Sequence, residues 1–298
     1  MAGKGLHRFT ILLAACTLFL VVAGASVTSN EAGLSVPDWP LSYGKVMPPM
    51  VGGVFYEHGH RMVATAVGLL TIVLAVWLWR TEERSWMKKL GLAALAGVIV
   101  QGLFGGLTVL LKLPPAVSIV HACLAQLFFS TTVAMALFTS PSWRRGAEMA
   151  IDEGTPPLRS LALFAALTVF CQIALGAAYR HKVLGLVPHV VGALVVAGVV
   201  LAVTMMALEQ FPRHRTIRKS ALALTGVTVT QIFLGIAAYM SRIYTAESTE
   251  PTALMVAFTV SHVAVGALTM AASVVFAIQT RRNLRPASEP AGSMSVAS

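Results

Sequence analysis

Charged side chains are scarce in this chain. Only 11% of its 298 residues are Asp, Glu, Lys or Arg, against about 25% in a typical soluble domain. Hydrophobic residues make up 56% of the chain, and the mean hydropathy is +0.77. These values exclude an ordinary soluble fold. Since the apolar stretches are about 20 residues long and lack the short alternation of an outer-membrane barrel, we predict an all-α integral membrane protein.

Cysteine and acidic residues are also few. The three cysteines, Cys16, Cys123 and Cys171, lie within apolar stretches and lack the spacing of a metal knuckle, so we interpret them as packing residues. Acidic residues are too sparse in the apolar stretches for a di-iron carboxylate bundle. The net charge of +10 does not indicate nucleic-acid binding, because the basic residues cluster in alternate connections between the stretches.

The apolar stretches predict eight membrane spans. Sixteen of the 22 Lys and Arg residues lie at the two termini and in the connections that share their side, so both termini are predicted to be cytoplasmic. The first stretch resembles a cleavable signal peptide, but its length favours a retained anchor. The predicted spans are residues 9–29, 59–79, 88–111, 117–139, 158–179, 185–208, 218–240 and 254–279.

A short motif recurs along the chain. A glutamine is followed four residues later by a glycine at Gln101–Gly105, Gln172–Gly176 and Gln231–Gly235, with a weaker counterpart at Leu20–Gly24. Residues four apart share a helix face, where glycine permits close helix approach and glutamine can hydrogen-bond across a bundle. Helix packing is therefore the first interpretation of these residues.

The motif and its spacing predict two pseudo-symmetric four-helix bundles in parallel orientation. The first comprises residues 1–150 and carries a long, aromatic-rich outer loop at 30–58, which we expect to be ordered, as a lid on the outer surface. The second bundle comprises residues 151–283. A Ser- and Ala-rich tail at 284–298 is predicted to be disordered.

Four histidines lie near the starts of the even-numbered spans, on the predicted outer side: His60, His121, His189 and His262. A neutral imidazole is an iron ligand, and two imidazoles from facing helices can hold a haem. Since each predicted bundle contains two of these histidines, each is a candidate haem site. The other histidines are expected to be solvated or interfacial: His7, His58, His181 and His214.

Charged residues accompany the histidines. Glu57 precedes His60 by three residues and Arg61 by four, so on a helix all three share a face. Glu57 there either orients the histidine and handles protons, or forms a structural ion pair with Arg61 that caps the second span. Outward basic residues are candidates for binding haem propionates, with snorkelling into headgroups as the alternative. They are Arg61, Arg180, Lys182 and Arg242.

Over about residues 10–280 the chain resembles the heme A synthase family. The resemblance rests on the stretch from Gly33 to Leu41, the Pro48-Pro49 pair, the Glu57-x-x-His60-Arg61 cluster and the order of the four histidines. It implies an eight-helix membrane enzyme that oxidises a methyl group of heme O to a formyl group, giving heme A for cytochrome oxidase. Side chains alone cannot carry out this oxidation, so such an enzyme needs a haem or another cofactor.

The resemblance also implies roles for individual residues. His60 and His121 would be catalytic ligands at the heme O site, with Glu57 as the essential acidic residue. His189 and His262 would hold a resident heme b. Many bacterial members carry a cysteine pair in the first outer loop, but this chain has Ser35 and Ser42 there, which excludes a disulfide or thiol relay in that loop.

The implied setting is the bacterial inner membrane. Besides lipid, heme O and heme A, the implied partners are heme O synthase, cytochrome oxidase subunits and a second copy of the chain. Two other functions compete. A quinol-linked di-haem cytochrome b uses the same histidines without chemistry on the haem, and a transporter shares the repeat architecture.

Overall fold

A computed structural model describes residues 2–287. In chain order its helices are α1 (Ala2–Ser29), α2 (Gly53–Thr81), α3 (Ser85–Leu110), α4 (Pro115–Thr139), α5 (Pro141–Arg144), α6 (Leu158–Arg180), α7 (Leu186–Gln210), α8 (Arg215–Tyr244) and α9 (Ala253–Asn283). All except the four-residue α5 are long and apolar enough to cross a membrane. The predicted all-α membrane fold and its eight spans are confirmed.

The long helices contain 23 to 31 residues. At 1.5 Å per residue they measure about 35 to 46 Å, more than the hydrocarbon core of about 30 Å. A helix pairs its backbone N–H and C=O groups internally, as it must in lipid, which offers them no hydrogen-bond partners. Side chains cap the starts of two of these long helices: Thr252 accepts a hydrogen bond from Met255 N, and His214 accepts one from Ile217 N.

Helix α2 begins earlier than the sequence indicated. It starts at Gly53 rather than at residue 59, because Gly52 adopts a left-handed backbone conformation (φ 57°) that turns the chain into the helix. The connection before it, here called the first loop, is therefore residues 30–52. As a result Glu57 and His60 both lie on a helix, one turn apart, as their spacing requires for a shared face.

Helices within each half of the chain pack in a closed ring. Helix α1 contacts α2 and α4, and α3 contacts α2 and α4; α6 contacts α7 and α9, and α8 contacts α7 and α9. The halves meet through α1, α4, α6 and α9, where Val21, Phe129, Ala267 and Ala271 form a small buried cluster. The predicted symmetry between the halves, and the direction in which the helices cross the membrane, stay predictions.

A short parallel sheet connects the start of the second half to the end of the chain. Strand β1 (Ala150–Asp152) pairs with β2 (Leu284–Pro286), and Leu284 is almost fully buried. The prediction that disorder begins at residue 284 is therefore wrong, because this segment gains backbone hydrogen bonds and buries an apolar side chain. The rest of the predicted disordered tail, 288–298, lies outside the described residues.

Two histidines expected at solvated positions are buried. His58 lies one turn into α2, and its Nδ1 is 2.8 Å from the Ser42 hydroxyl of the first loop. His214 caps α8, and its Nε2 contacts Glu148 O at 2.8 Å. Both side chains find hydrogen-bond partners in connecting segments, which offsets the cost of their burial. Cys171 also differs from expectation, because it is exposed on the surface of α6.

Candidate functional site

All four predicted ligand histidines pack against a glycine of the preceding span. An added Cβ at each glycine would lie between 2.9 and 3.2 Å from the Cε1 atom of the imidazole. Those distances are too short for most side chains, so glycine makes room for the ring. The pairs are Gly24 with His60, Gly105 with His121, Gly176 with His189, and Gly235 with His262.

The structure brings His189 and His262 together. Their ring centroids are 6.3 Å apart, and their planes are nearly perpendicular, at 87°. A bond from a metal to an imidazole nitrogen is about 2 Å long, and that nitrogen lies about 1 Å from the ring centre, so one ion between two axial imidazoles requires about 6 Å between centroids. The observed separation therefore fits an iron held by both rings. The Tyr179 ring lies nearly parallel to the His189 ring, with their centroids 6.4 Å apart.

The ring of His262 also has the support that a metal ligand needs. Its Nδ1 lies 3.2 Å from the backbone oxygen of Gln231, where Nδ1–H can donate a hydrogen bond and leave Nε2 free of its proton. Metal-bound histidines usually donate their second ring N–H to an acceptor of this kind. The spacing of the two rings and the hydrogen bond of His262 Nδ1 thus fit a haem iron held in the second half.

His60 and His121 of the first half also each pack on a glycine. The Nδ1 atom of each ring is buried without a hydrogen-bond partner among residues 2–287. A buried polar atom without a partner costs about 1 to 3 kcal/mol. A metal bound at that nitrogen would recover part of that cost, so these two histidines are also candidates for holding a haem iron.

Glu57 and Arg61 anchor the first loop. The Glu57 carboxylate accepts a hydrogen bond from Val36 N through Oε2 (2.8 Å) and pairs with Arg61 Nη2 through Oε1 (2.6 Å). The Arg61 guanidinium also donates to the backbone oxygens of Asp38 (2.7 Å) and Leu41 (2.8 Å). Both terminal nitrogens of Arg61 are thus engaged by protein groups, which favours a loop-anchoring role over propionate binding for this residue.

The same loop is closed on itself and packed on α3. The Asp38 carboxylate accepts hydrogen bonds from Tyr43 N (2.7 Å) and Gly44 N (2.8 Å), and the Gly44 contact is the main reason why the pKa of Asp38 lies below its ordinary value. The Trp39 indole covers Gly106, where an added Cβ would lie 2.7 Å from the ring. The expected order of this loop therefore has a structural basis.

Ser42 is the second position where the family often has a cysteine. Its buried hydroxyl contacts His58 Nδ1, so a hydrogen bond connects the loop to α2 at this point. The Nε2 atom of His58 is buried and has no hydrogen-bond partner in the described part of the chain. Ser35 contributes its backbone oxygen, which accepts a hydrogen bond from the Tyr43 hydroxyl.

The remaining predicted basic residues lie at the ends of the second half. Arg180 donates a hydrogen bond to Thr28 O of α1 (2.7 Å) and lies within electrostatic range of Arg242. Lys182 is exposed in the turn after α6. Beside it, burial lowers the pKa of His181, and the charge of Arg180 adds to the effect. Arg180 thus connects α6 to α1, across the junction of the two halves.

Sequence reasoning missed several residues near the histidines. The glutamines of the repeated motif contact the ligand histidines directly: Gln172 Nε2 lies 3.0 Å from His189 Nδ1. Their periodic placement ahead of a glycine was the available signal, although it equally fits plain packing. The contact of Trp39 with Gly106 and that of Ser42 with His58 had no sequence signal, because they join segments that are distant along the chain.

A family model with the description "Cytochrome oxidase assembly protein" (COX15-CtaA) matches residues 7–53 and 50–188, more than half of the chain. The chain belongs to this family. Relatives that carry the name heme A synthase include proteins of Symbiobacterium thermophilum (29% identity, covering 60% of each chain) and Shewanella oneidensis (31%, covering 57% of this chain and 54% of the relative).

A more extended similarity connects the chain to a heme A synthase of Staphylococcus aureus, at 22% identity over 80% of this chain and 87% of the relative. In the two pairs given before it, the chain spans only 54 to 60% of the relative's length. The predicted membership of the family is confirmed. The matched segments contain the first loop, Glu57, His60 and His121.

Proposed function

We propose that this protein is a heme A synthase, which oxidises a methyl group of heme O to the formyl group of heme A. The observation that carries the proposal is the arrangement of His189 and His262, whose 6.3 Å separation fits one iron between two imidazoles. The matched family model and the relatives named heme A synthase support the reaction class. The same glycine-backed arrangement recurs at His60 and His121.

The two histidine pairs have different surroundings, which supports different roles. His60 and His121 are proposed to ligate the substrate heme O, because the Glu57–Arg61 pair and the first loop lie next to His60. His189 and His262 are proposed to ligate a resident heme b. Each site would then lie within one ring of four helices, residues 1–150 and 151–283.

The reaction requires iron chemistry that side chains do not supply. Oxidation of a methyl group to a formyl group removes four electrons and four protons and adds one oxygen atom (R–CH₃ + H₂O → R–CHO + 4 H⁺ + 4 e⁻), so an external oxidant must accept the electrons. A bound haem supplies the redox centre. The chain itself orients the macrocycle through its histidines and excludes water with the first loop.

Glu57 is proposed to hold the first loop in position and to accept or donate protons near His60. Its two oxygens hold Val36 N and Arg61, so the carboxylate connects the first loop to α2. Arg180 and Arg242 are proposed to bind haem propionates, since Arg180 lies at the junction of the two halves and the charge of Arg242 acts on it. The sites are proposed to face the outer side of a bacterial inner membrane.

Haem extraction from the purified protein tests the proposal. When the host supplies heme O, the extracted pigment is expected to contain heme O or heme A together with heme b. Heme b alone, with quinol-driven reduction of both haems and no conversion, would instead identify a di-haem cytochrome b. A colourless, haem-free preparation would point to a transporter.

Single substitutions test the division of roles. His60→Ala and His121→Ala are expected to abolish conversion and retain heme b, whereas His189→Ala and His262→Ala are expected to lose the resident haem. His7→Ala is the matched control, because His7 contacts Thr139 outside the two sites and its loss should leave both haems in place. Equal haem loss from all four ligand variants would contradict the assignment.

A further inference from the structure

Basic side chains gather at the end of the second half that lies opposite its candidate haem site. Four of them fall within seven residues, in the connection between α7 and α8 and in the first turns of α8, and all four are exposed. With Pro212 and Leu222 they line a surface cleft of about 640 Å³. The four are Arg213, Arg215, Arg218 and Lys219.

Protein carboxylates do not neutralise this cluster. None of its four cations forms an ion pair with a carboxylate of residues 2–287. Of the carboxylates at this end, Glu148 lies beside His214 (3.9 Å), Asp152 is buried and accepts hydrogen bonds from backbone N–H groups, and Glu209 is exposed. Like charges repel, and the helix dipole opposes positive charge in a first turn. The cluster does not stabilise the fold, and it favours an anionic ligand.

The same side of α8 continues as an apolar face. At 3.6 residues per turn, six exposed positions fall within an arc of about 80°. Its large apolar side chains are 46 to 68% exposed, and an added Cβ at the glycine between them would meet nothing within 4 Å, so a shallow groove runs along the helix. The six positions are Arg215, Lys219, Leu222, Gly226, Val229 and Phe233.

The apolar face has the depth of one membrane leaflet. Leu222 and Phe233 are 11 positions apart, which is about 16 Å along a helix that rises 1.5 Å per residue. One half of a hydrocarbon core of about 30 Å is about 15 Å. The positive charge of Lys219 lies one turn before Leu222. The order along α8, positive charge followed by apolar groove, therefore matches an anionic headgroup followed by an acyl chain.

We infer that this side of α8 binds an anionic phospholipid. Arg215 and Lys219 hold the phosphate through charge-assisted hydrogen bonds, and one acyl chain lies along the groove from Leu222 to Phe233. Basic pockets at the ends of membrane helices are typical headgroup sites. An acidic soluble protein would complement the cations but not the apolar face that follows them. The inference goes beyond the proposed function and does not depend on the haem sites.

The first half provides a matched control. Helix α3 begins 130 positions before α8, and Lys88 and Lys89 lie in its first turns. Carboxylates accompany these lysines: Glu82 pairs with Arg84 at 2.8 Å, and Glu83 is exposed. Removing two charges from α3 or two from α8 changes the net charge of the protein equally. Only the α8 pair is expected to matter for the lipid.

Native mass spectrometry of the purified protein in detergent tests the inference, with dioleoyl phosphatidylglycerol and dioleoyl phosphatidylcholine as the added lipids. The protein is expected to retain phosphatidylglycerol in preference to phosphatidylcholine. Arg215→Gln combined with Lys219→Gln should weaken phosphatidylglycerol binding by about thirty-fold at low salt, the usual effect of two cations near a membrane surface. Lys88→Gln combined with Lys89→Gln should leave that affinity within about three-fold of the original.

A second variant tests the groove without changing charge. Gly226→Leu fills the groove and should weaken phosphatidylglycerol binding by about three-fold, because acyl carbons lose close contacts with the helix. Gly198→Leu on α7 is the control, since an added Cβ there also meets nothing within 4 Å. Thermal unfolding separates lipid from free phosphate: phosphatidylglycerol should raise Tm, and inorganic phosphate at the same concentration should not.

Three results would overturn the inference. Equal binding of the two lipids would show that the cluster does not select an anionic headgroup. An equal rise of Tm with inorganic phosphate would identify a free anion site. An equal loss of affinity from the α3 and α8 pairs would show that general surface charge, rather than this site, attracts the lipid. Since none of these measurements involves haem, each result leaves the proposed function as it stands.

Discussion

Removing the Glu57 carboxylate tests whether the buried ion pair holds the first loop in place. In the folded protein Glu57 is 5% exposed and Arg61 14% exposed, and their side chains meet at 2.6 Å. Glu57→Ala leaves the Arg61 guanidinium without its counter-charge and removes the acceptor of Val36 N. The loop is expected to detach from α2, and the protein to become less stable.

The size of the effect follows from burial. Breaking a buried ion pair by removing one partner typically costs about 3 to 5 kcal/mol. We expect the lower end, about 3 kcal/mol, because Arg61 keeps the backbone oxygens of Asp38 and Leu41 as acceptors. Arg61→Ala should cost a similar amount. The double variant should cost less than the sum of the two single variants, since both remove the same ion pair.

Two assays measure the effect in detergent micelles. Denaturant titration gives the free energy of unfolding, and hydrogen exchange of the first loop reports its detachment. Glu57→Gln separates anchoring from proton handling, because its amide oxygen can still accept from Val36 N. A Glu57→Gln protein with a protected loop and no turnover would assign proton handling to the carboxylate.

The reasoning fails if Glu57→Ala leaves both the unfolding free energy and the loop's hydrogen exchange unchanged. It also fails if the costs of the two single variants add in the double variant, because independent sites would then be indicated. Normal turnover in Glu57→Ala would leave the carboxylate with a structural role only.

Three further outcomes are expected. Gly176→Ala should displace the His189 ring, since the new Cβ would lie 2.9 Å from Cε1, and the haem content measured by the pyridine haemochrome assay should fall. Gly106→Ala should push the Trp39 indole off α3 at a cost of about 1 to 3 kcal/mol, seen as faster proteolysis of the first loop. The pKa of the Asp38 carboxyl is lower in the folded protein than its ordinary value of 3.8. The stabilisation that the charged carboxylate gives to the folded protein is therefore present above that value, and it is lost as the pH falls through the folded-state pKa. The amide hydrogens of the first loop should exchange faster in that range.

Matched glycines provide the controls for the two glycine variants. An added Cβ at Gly198 of α7 or at Gly102 of α3 would meet nothing within 4 Å. Alanine at these positions should stabilise the helix by up to about 1 kcal/mol and leave haem content and loop proteolysis unchanged. Equal effects at the crowded and the open glycines would show that helix propensity, rather than contact with the ring or the indole, determines the outcome.

Hydropathy alone predicted the eight spans, because lipid forces each crossing segment to be a long apolar helix that satisfies its own backbone. The order of the four histidines and the glutamine–glycine spacing are also readable from the sequence, since residues four apart share a helix face. The start of α2 was placed too late, because Gly52 ends the first loop through its backbone conformation and leaves no hydropathy signal. His58 and His214 were expected at the surface for a related reason: their partners, Ser42 and Glu148, lie in other segments.

The sequence by itself thus determined the membrane class, the number of spans and the identity of the candidate ligands. Only the tertiary structure decided which groups meet: the 6.3 Å approach of His189 to His262, and the commitment of Arg61 to the first loop. The physical reason is that lipid imposes helix formation on each segment locally, whereas contacts between helices depend on how side chains from distant parts of the chain fit together.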